Sequence, residues 1–479
     1  MQGVDTGLIA LPSAVDRDGN LADVASQLTG TVNGAFWAND LSQRLGYTVT
    51  AGEPYYTSGC TSTAECVFPD AVIPQSAFTD PTKALKQYIP LPNLGTYYTT
   101  SAYKRTLRDD KGSVRLDANT HLGMLSGYYF LDDNALVSPY GGGNVPGFAA
   151  TNNGRAQIIN LGLTKSFGGN SVNELRLHYM RNMMATGNPL GGVGVSLASQ
   201  GFTGIVPNDT RLPQGVMSVG FNDFSIGESV WPLFVWDNTY HVLDNFSKVR
   251  GTHTLKFGGD FSYDQVTFDF PAANNGTFGF YGGETGNDFA DFLIGAPSGY
   301  SQGLVPTMYT RARTYALYGQ DSWRVDRNLT LNYGLRWEVG TPWWEAHNQQ
   351  RAVVYGLQSK VFPGAPTGLV VPGDPGIPST LSPTRYNNLA PRLGLAYSPA
   401  SAGRGLLGKL WGGPGETSIR AAFGVYFTSF AERSNSNQAG NAPDGYWWSS
   451  PVPPLFATPF IDRASGHDEG QRFPVSPPL

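Results

Sequence analysis

Apolar and polar residues alternate with a period of two over long stretches of this chain. In "LTLNYGLRWE", Leu329, Leu331, Tyr333, Leu335 and Trp337 hold one parity, and Thr330, Asn332, Gly334, Arg336 and Glu338 hold the other. Period two places the two sets on opposite faces of a β-strand. The same split separates Leu255, Phe257, Phe261 and Tyr263 from Lys256, Asp260, Ser262 and Asp264, and Ile419, Phe423, Val425 and Phe427 from Ser418, Arg420 and Tyr426. The polar parity repeatedly carries full charges. Asp321 is an exception, an acid on the apolar parity, and a position at a membrane rim accounts for it.

These strands pair into hairpins. Turns are expected near Asn119, at Gly168-Gly169-Asn170, between Lys248 and Gly251, and at Asp326-Arg327-Asn328. Gly, Asn and Asp sit there because they tolerate positive φ or mimic a turn with their side chains. A last pair is expected at 389–397 and 417–427. Long Gly/Pro-rich segments intervene near 132–154, 185–230, 271–306, 341–388 and 429–479, so short and long links alternate. Globular sandwiches prefer connections of a few residues. Transmembrane β-barrels show this asymmetry, with short turns on one rim and long loops on the other. The strands read as about 10 to 14 residues, against the 9 to 11 that cross a bilayer. Trp231, Trp323, Trp337, Trp343 and Trp344 lie at strand ends, as interfacial girdles do. The expectation is an all-β, antiparallel up-and-down transmembrane barrel, present as a partial wall of about ten or more strands with its first and last strands unpaired. An irregular loop-rich segment spans 1–95, strands and loops 96–430, and a truncated Pro/Gly/aromatic-rich loop 431–479.

Composition agrees with that picture. The chain has 479 residues, of which 13% are aromatic and only 14% charged, with 60 glycines. Soluble domains carry about 25% charge. A net charge of −5 gives no basic footprint for nucleic acid. No run of about 18 apolar residues marks a transmembrane helix. The start "MQGVDTGLIALPSAVDRDG" has no basic n-region or apolar core, so for an exported protein the true N-terminus is expected to lie upstream.

Candidate chemistry is sparse. Cys60 and Cys66 in "SGCTSTAECVF" suit a disulfide-closed loop in an oxidising compartment; two free thiols are the alternative, and zinc would need more ligands than six scattered histidines provide. "DRDGN" (16–20) spaces oxygen ligands like a calcium loop but lacks its Gly and Glu positions and reads as a polar turn. The adjacent carboxylates of "RDD" (108–110) and "LDD" (131–133) point to opposite faces of a strand and cannot flank one bond. "YGGGN" (140–144) and "GVGVSLASQG" (192–201) lack the strand, helix and lysine of a phosphate loop, and no G-x-S-x-G elbow occurs. No cofactor is expected. Trp343, Trp344, Tyr446, Trp447 and Trp448 form two loop clusters that either contact ligand or sit in the bilayer interface.

Six stretches, in order, resemble the barrel of the TonB-dependent outer-membrane transporters, in particular the Oar-like group: "YIPLPN", "HTLKFGGDFSY", "GNDFADFLIG", "YALYGQDSWRVDRNLTLNYGLRWE", "YNNLAPRLGLAYSP" and "TSIRAAFGVYF". The resemblance implies an outer-membrane receptor segment. Its partners would be membrane lipid, an extracellular substrate (oligosaccharide, peptide or metal chelate) and TonB, reached only through an N-terminal plug that this chain does not show. The competing readings are an outer-membrane structural or adhesion barrel that moves nothing, and a secreted, soluble, carbohydrate-active β-protein.

Overall fold

The computed structural model describes residues 2–4, 7–99, 104–138, 145–187, 193–207, 209–210, 212–228, 231–399, 412, 416–428, 441–442 and 444–470. Eleven strands pair antiparallel in strict sequence order: β1 (Gln2–Val4), β2 (Lys104–Thr120), β3 (Gly123–Ser138), β4 (Ala150–Phe167), β5 (Ser171–Thr186), β6 (Leu233–Arg250), β7 (His253–Asp269), β8 (Met308–Arg324), β9 (Leu329–Gly340), β10 (Asn388–Tyr397) and β11 (Ile419–Gly424). A twelfth short strand, Trp344–Glu345, extends the pairing of β8 beyond the end of β9. Among the described residues the path runs from β1 to β11 without returning on itself.

One rim of the sheet carries tight turns, at 121–122, 168–170, 251–252 and 325–328. The first lies two residues past the position expected near Asn119. Gly168 and Gly251 take positive φ, 65° and 60°, where a Cβ would be strained. At the fourth turn the Asp326 carboxylate accepts from the backbone N–H of Asn328 and Leu329, at 2.7 and 2.9 Å. The link between β10 and β11 (398–418) is the exception on this rim, being long. The opposite rim, the loop rim, carries all the other long links from 5–103 onward.

Strand length departs from expectation. β2 to β8 are 16 to 18 residues long, well beyond a bilayer crossing. The extra length lies toward the loop rim, where strict alternation ceases: β2 and β4 turn polar on both faces, while β6 runs Leu233-Phe234-Val235-Trp236. Asp132, Asp133 and Asn134 of β3 still pair in register with Ala156, Arg155 and Gly154. β11 is shorter than expected, ending at Gly424.

Register aligns the faces across the sheet. One row on the apolar face reads Leu116, Gly127, Leu161, Leu177, Val242, Phe261, Tyr315, Val339. The next row toward the loop rim reads Tyr129, Ile159, Tyr179, Tyr240, Tyr263. On the polar face the corresponding row is Tyr128, Asn160, His178, His241, Ser262, Thr314. Much of the apolar face is exposed, including Leu116, Leu161, Leu317, Leu393 and Phe423. An aqueous protein would bury such a face, because each large side chain gains about 1.5–3 kcal/mol from leaving water.

The long links are not independent loops. Segments from 11–89, 145–148, 197–226, 278–300 and 446–460 contribute to one buried apolar cluster containing Trp37, Leu41, Tyr55, Phe68, Met217, Phe280, Phe292 and Phe456. A five-stranded sheet joins Tyr446–Ser449, Gly299–Leu304, Thr277–Gly279, Ser218–Gly220 and Ser225–Ile226 in that order. Three short helices pack with it: Ala35–Leu45, Asp80–Leu85 and Asp288–Ile294. The first ends at Gly46 in the left-handed region, with the Gly46 N–H donating to the Ser42 carbonyl. The third is capped by the Asn287 side chain, which accepts from the Ala290 N–H. Residues 7–99 therefore hold real helices and core, not the irregular segment expected of 1–95. No helix among the described residues is long and apolar enough to cross a membrane.

Candidate functional site in the polar wall and the loop layer

The polar face near the turn rim encloses a cavity of about 790 Å³, lined among others by Lys256, Tyr318, Arg336, Arg392 and Tyr426. Gly334, Gly394 and Gly424 leave its wall low. A Cβ on Gly334 would stand 2.7 Å from that of Gln320, so the wall admits no larger residue there without shifting. Arg336 bonds Asp260 at 3.0 Å and Glu338 at 2.9 Å. The Arg392 guanidinium lies 4.9 Å from the Tyr426 ring centroid. Neither Arg392 nor Lys256 has a carboxylate partner among the described residues. This wall can therefore hold an anionic group.

The loop layer is closed by a buried polar chain. Trp37 Nε1 donates to the Tyr55 hydroxyl at 2.7 Å, and that hydroxyl donates to Glu284 Oε1 at 2.7 Å. Arg463 bonds Glu284 Oε2 at 2.6 Å and also donates to the Pro297 carbonyl. Burial and the adjacent Glu284 carboxylate push the Tyr55 phenol well above its usual range. Burial likewise lifts Asp291 to about 6 and Glu228 to about 7. Asp291 receives the Thr285 hydroxyl and the backbone N–H of Glu284 and Thr285. These bonds fasten loops to one another. Sequence reading missed Glu284 and Arg463, because their pairing joins positions 179 residues apart.

Cys60 and Cys66 form a disulfide. Trp448 is buried against Tyr300 and Phe460 in the layer's core. Its neighbour Trp447 is 40% exposed and packs against Trp231. Tyr446 lies on the same edge strand. Trp344 stands on the apolar face of the large sheet beneath the Arg313 guanidinium, and Trp343 is half-buried beside it. The two clusters thus answer to different neighbours. Trp231 belongs to the loop layer with Trp447 and Phe270, not to a girdle. Trp323 stays at the turn rim, stacked on His253 at 5.4 Å. Asp321 also lies near that rim, bonded to His253 Nδ1 at 2.6 Å and to the Tyr333 hydroxyl at 2.8 Å.

Other motifs have structural roles. Asp16 of "DRDGN" completes a capping box with Ser13 on the helix Ala14–Arg17. On β2 and β3, Lys111 bridges Asp109 and Asp132 on one face, while Arg108 bridges Asp110 and Asp133 on the other. "YGGGN" lies outside the described residues, and 198–200 of the second Gly-rich stretch form a 3-10 turn. Among the described residues no group of three or more His, Cys, Asp or Glu could hold a metal.

The family described as "Outer membrane beta barrel domain" matches residues 2–474. The chain belongs to this family. It is an outer-membrane protein, and its exposed apolar face is the lipid face, with the polar face toward the lumen. The secreted soluble reading falls with that assignment. Among solved structures, the chain is similar to one titled "Copper transporter OprC", with 11% identity and a TM-score of 0.36. The alignment covers 67% of this chain and 37% of that one, so the chain spans well under half the length of that transporter. No curated protein sequence matches this chain.

Proposed function

We propose that this chain is the wall and extracellular cap of an energised outer-membrane transporter of the TonB-dependent, Oar-like kind. The observation that carries the reading is the loop layer. Long links on one rim condense into a single packed core at the mouth of a sheet whose other face is polar. A passive barrel needs no such cap, whereas a receptor needs a shaped, preorganised surface for its substrate. Substrate classes in keeping with it are oligosaccharides, peptides and metal chelates. Lys256 and Arg392 favour those with anionic groups. Coupling to TonB would run through a plug domain. Binding of the periplasmic domain of TonB to the full-length protein, measured by co-purification from outer membranes, tests the reading. Absence of binding, with the protein correctly folded, would leave a structural or adhesion barrel.

A further inference from the structure

On the lipid face of five strands a polar row interrupts the apolar run, one row earlier on β8 than on the others, before Met183, Trp236 and Tyr309 resume it toward the loop rim. Reading toward the loop rim, Ile159 gives way to Gln157, Tyr179 to Arg181, Tyr240 to Asn238, Tyr263 to Gln265, and Tyr315 to Arg313 and Arg311. The hydroxyls of the aromatic row bond into this polar row: Tyr179 donates to Asn238 Oδ1 at 2.9 Å, and Gln157 donates to the Tyr129 hydroxyl at 2.9 Å. That is the geometry of side chains whose rings lie in hydrocarbon and whose tips reach the headgroups. The boundary lies on the loop-rim side, so it marks the outer leaflet.

Three cations stand at it: Arg181 and Arg311 in the row just above, and Arg313 in the aromatic row itself, opposite Tyr263. Arg181 donates to Asn238 Oδ1 at 3.0 Å. Arg313 lies over the rings of Tyr263 and Trp344, at 5.4 and 5.1 Å. Arg311 donates to the backbone carbonyls of Thr310 and Val266. None of the three has a carboxylate partner among the described residues. The acids of this face at that level, Asp110 and Asp133, are taken by Arg108 and Arg155. Arg181 and Arg311 are three strand spacings apart in register, about 14 Å.

Below each end of this belt the apolar face is hollow. Gly127 opens a groove of about 430 Å³ among Leu116, Leu125, Leu161 and Leu177, and Leu177 lies four residues below Arg181 on β5. Gly259 opens a second, of about 410 Å³, among Val242, Phe261 and Leu317, with Asp244 at its lower edge; Leu317 lies four residues below Arg313 on β8. Both grooves are lined mainly by apolar side chains, and an arginine lies two turns of the pleat above each.

We propose that Arg181 and Arg313, with Arg311, form a docking surface for the phosphorylated lipid of the outer leaflet, two phosphates above and acyl chains in the grooves. Guanidinium–phosphate pairing is charge-assisted and bidentate, and it is strengthened at the edge of a low-dielectric layer.

The test uses the full-length protein purified from outer membranes, with bound lipid A quantified by mass spectrometry. Wild type should retain it, and retention should fall as salt is raised to about 0.5 M, where the Debye length shortens to a few ångström. R181Q/R313Q should lose at least about tenfold in retained lipid, while R250Q, at the turn rim of the same face, should not. R181K/R313K keeps the charge and should keep lipid, which separates charge loss from misfolding. Equal retention by R181Q/R313Q with unchanged heat-modifiable mobility would overturn the proposal. So would equal binding of lipid A stripped of its phosphates, or displacement of the lipid by inorganic phosphate at micromolar levels.

Discussion

Arg463 holds Glu284 at 2.6 Å with almost no solvent on either side chain. The pair joins the last described loop to the loop between β7 and β8, and through Tyr55 to the long link before β2. A buried ion pair is often no better than a well-packed apolar substitute, but removing one partner strands a charge. Arg463→Met should therefore destabilise the loop layer by about 3–5 kcal/mol, seen as earlier loss of near-UV signal on heating. Heat-modifiable gel mobility, which reports the barrel wall, should persist. The double variant Arg463→Met with Glu284→Gln should recover part of the loss. An unchanged melting profile in the single variant would remove the pair from its structural role.

The same layer should lose stability as pH rises. Burial raises the Glu228 carboxyl from 4.5 to about 7, with Asn275 as its hydrogen-bond partner at 3.4 Å. A folded pKa above the unfolded one means that the fold prefers the neutral acid. The contribution is full below about 4.5 and is lost as pH climbs through about 7. Asp291 acts in the same direction between 3.8 and about 6. The layer should therefore melt at a lower temperature at pH 8 than at pH 5. Glu228→Gln should raise stability at pH 8 by up to about 3 kcal/mol, because a tenfold change in proton affinity is worth roughly 1.4 kcal/mol. If Glu228→Gln leaves the pH dependence between 5 and 8 untouched, the group is not buried as described.

Parity across β9 gives a sharper contrast. Leu335 lies exposed on the lipid face in the row of Phe257 and Gly319, while Asn332 lines the polar cavity. Leu335→Arg should impair membrane assembly by about 2–4 kcal/mol. Asn332→Arg should be mild, because the lumen is wet. Urea titration of the folded protein in lipid vesicles measures both, and equal costs would reverse the face assignment.

The disulfide closes a short loop within the loop layer. Cys60 and Cys66 are six apart in sequence, and both are buried. Closing so short a loop removes roughly 2 kcal/mol of chain entropy from the unfolded state. Replacing both with serine should lower the stability of the layer by about that amount and leave β2 to β11 intact. A loss of barrel mobility on gels would show that the bond supports more than its own loop.

The barrel wall was legible in the sequence because lipid on one side and water on the other impose a period of two that nothing else overrides. Leu331, Tyr333 and Leu335 announce their face without help from distant residues. Alternation stops once a strand leaves the membrane, as at Asp132-Asp133-Asn134, so the strands extend further than the pattern showed. The loop layer was illegible for a different reason. Its core is assembled from short apolar runs such as "VFPDAVI" (67–73) and "FADFLIG" (289–295), each too brief to signal an element, and their burial depends on partners hundreds of residues away. The helix Ala35–Leu45 did leave a trace, with Trp37 and Leu41 one turn apart and glycines at 34 and 46, but the surrounding Gly/Thr-rich sequence hid it. Trp448 shows the limit most plainly. Its neighbour Trp447 has the same chemistry, and only the pairing of Tyr446–Ser449 with Gly299–Leu304 decides which of the two is buried.

Packing of the long links also decides where a protease can cut. The links 187–232 and 341–387 lie on the same rim, and a chain of loose loops would be cleaved in both. They differ in burial. Met217, Val219, Phe221 and Ile226 are in the core of the layer, so the backbone around them opens only with the layer itself. In the second link, Val353 and Tyr355 are exposed at 70% and 96%. Chymotrypsin added to intact cells should therefore cut first after Tyr355, and reach 216–226 only slowly. The turn at Asp326-Arg327-Asn328 lies on the opposite rim and should resist trypsin until the outer membrane is permeabilised, even though Arg327 is exposed. Mass spectrometry of the released fragments gives the order. Early trypsin cleavage after Arg327 in intact cells would place the turn rim outside and invert the topology, and equal rates at 216–226 and Tyr355 would mean that the loops do not pack as one layer.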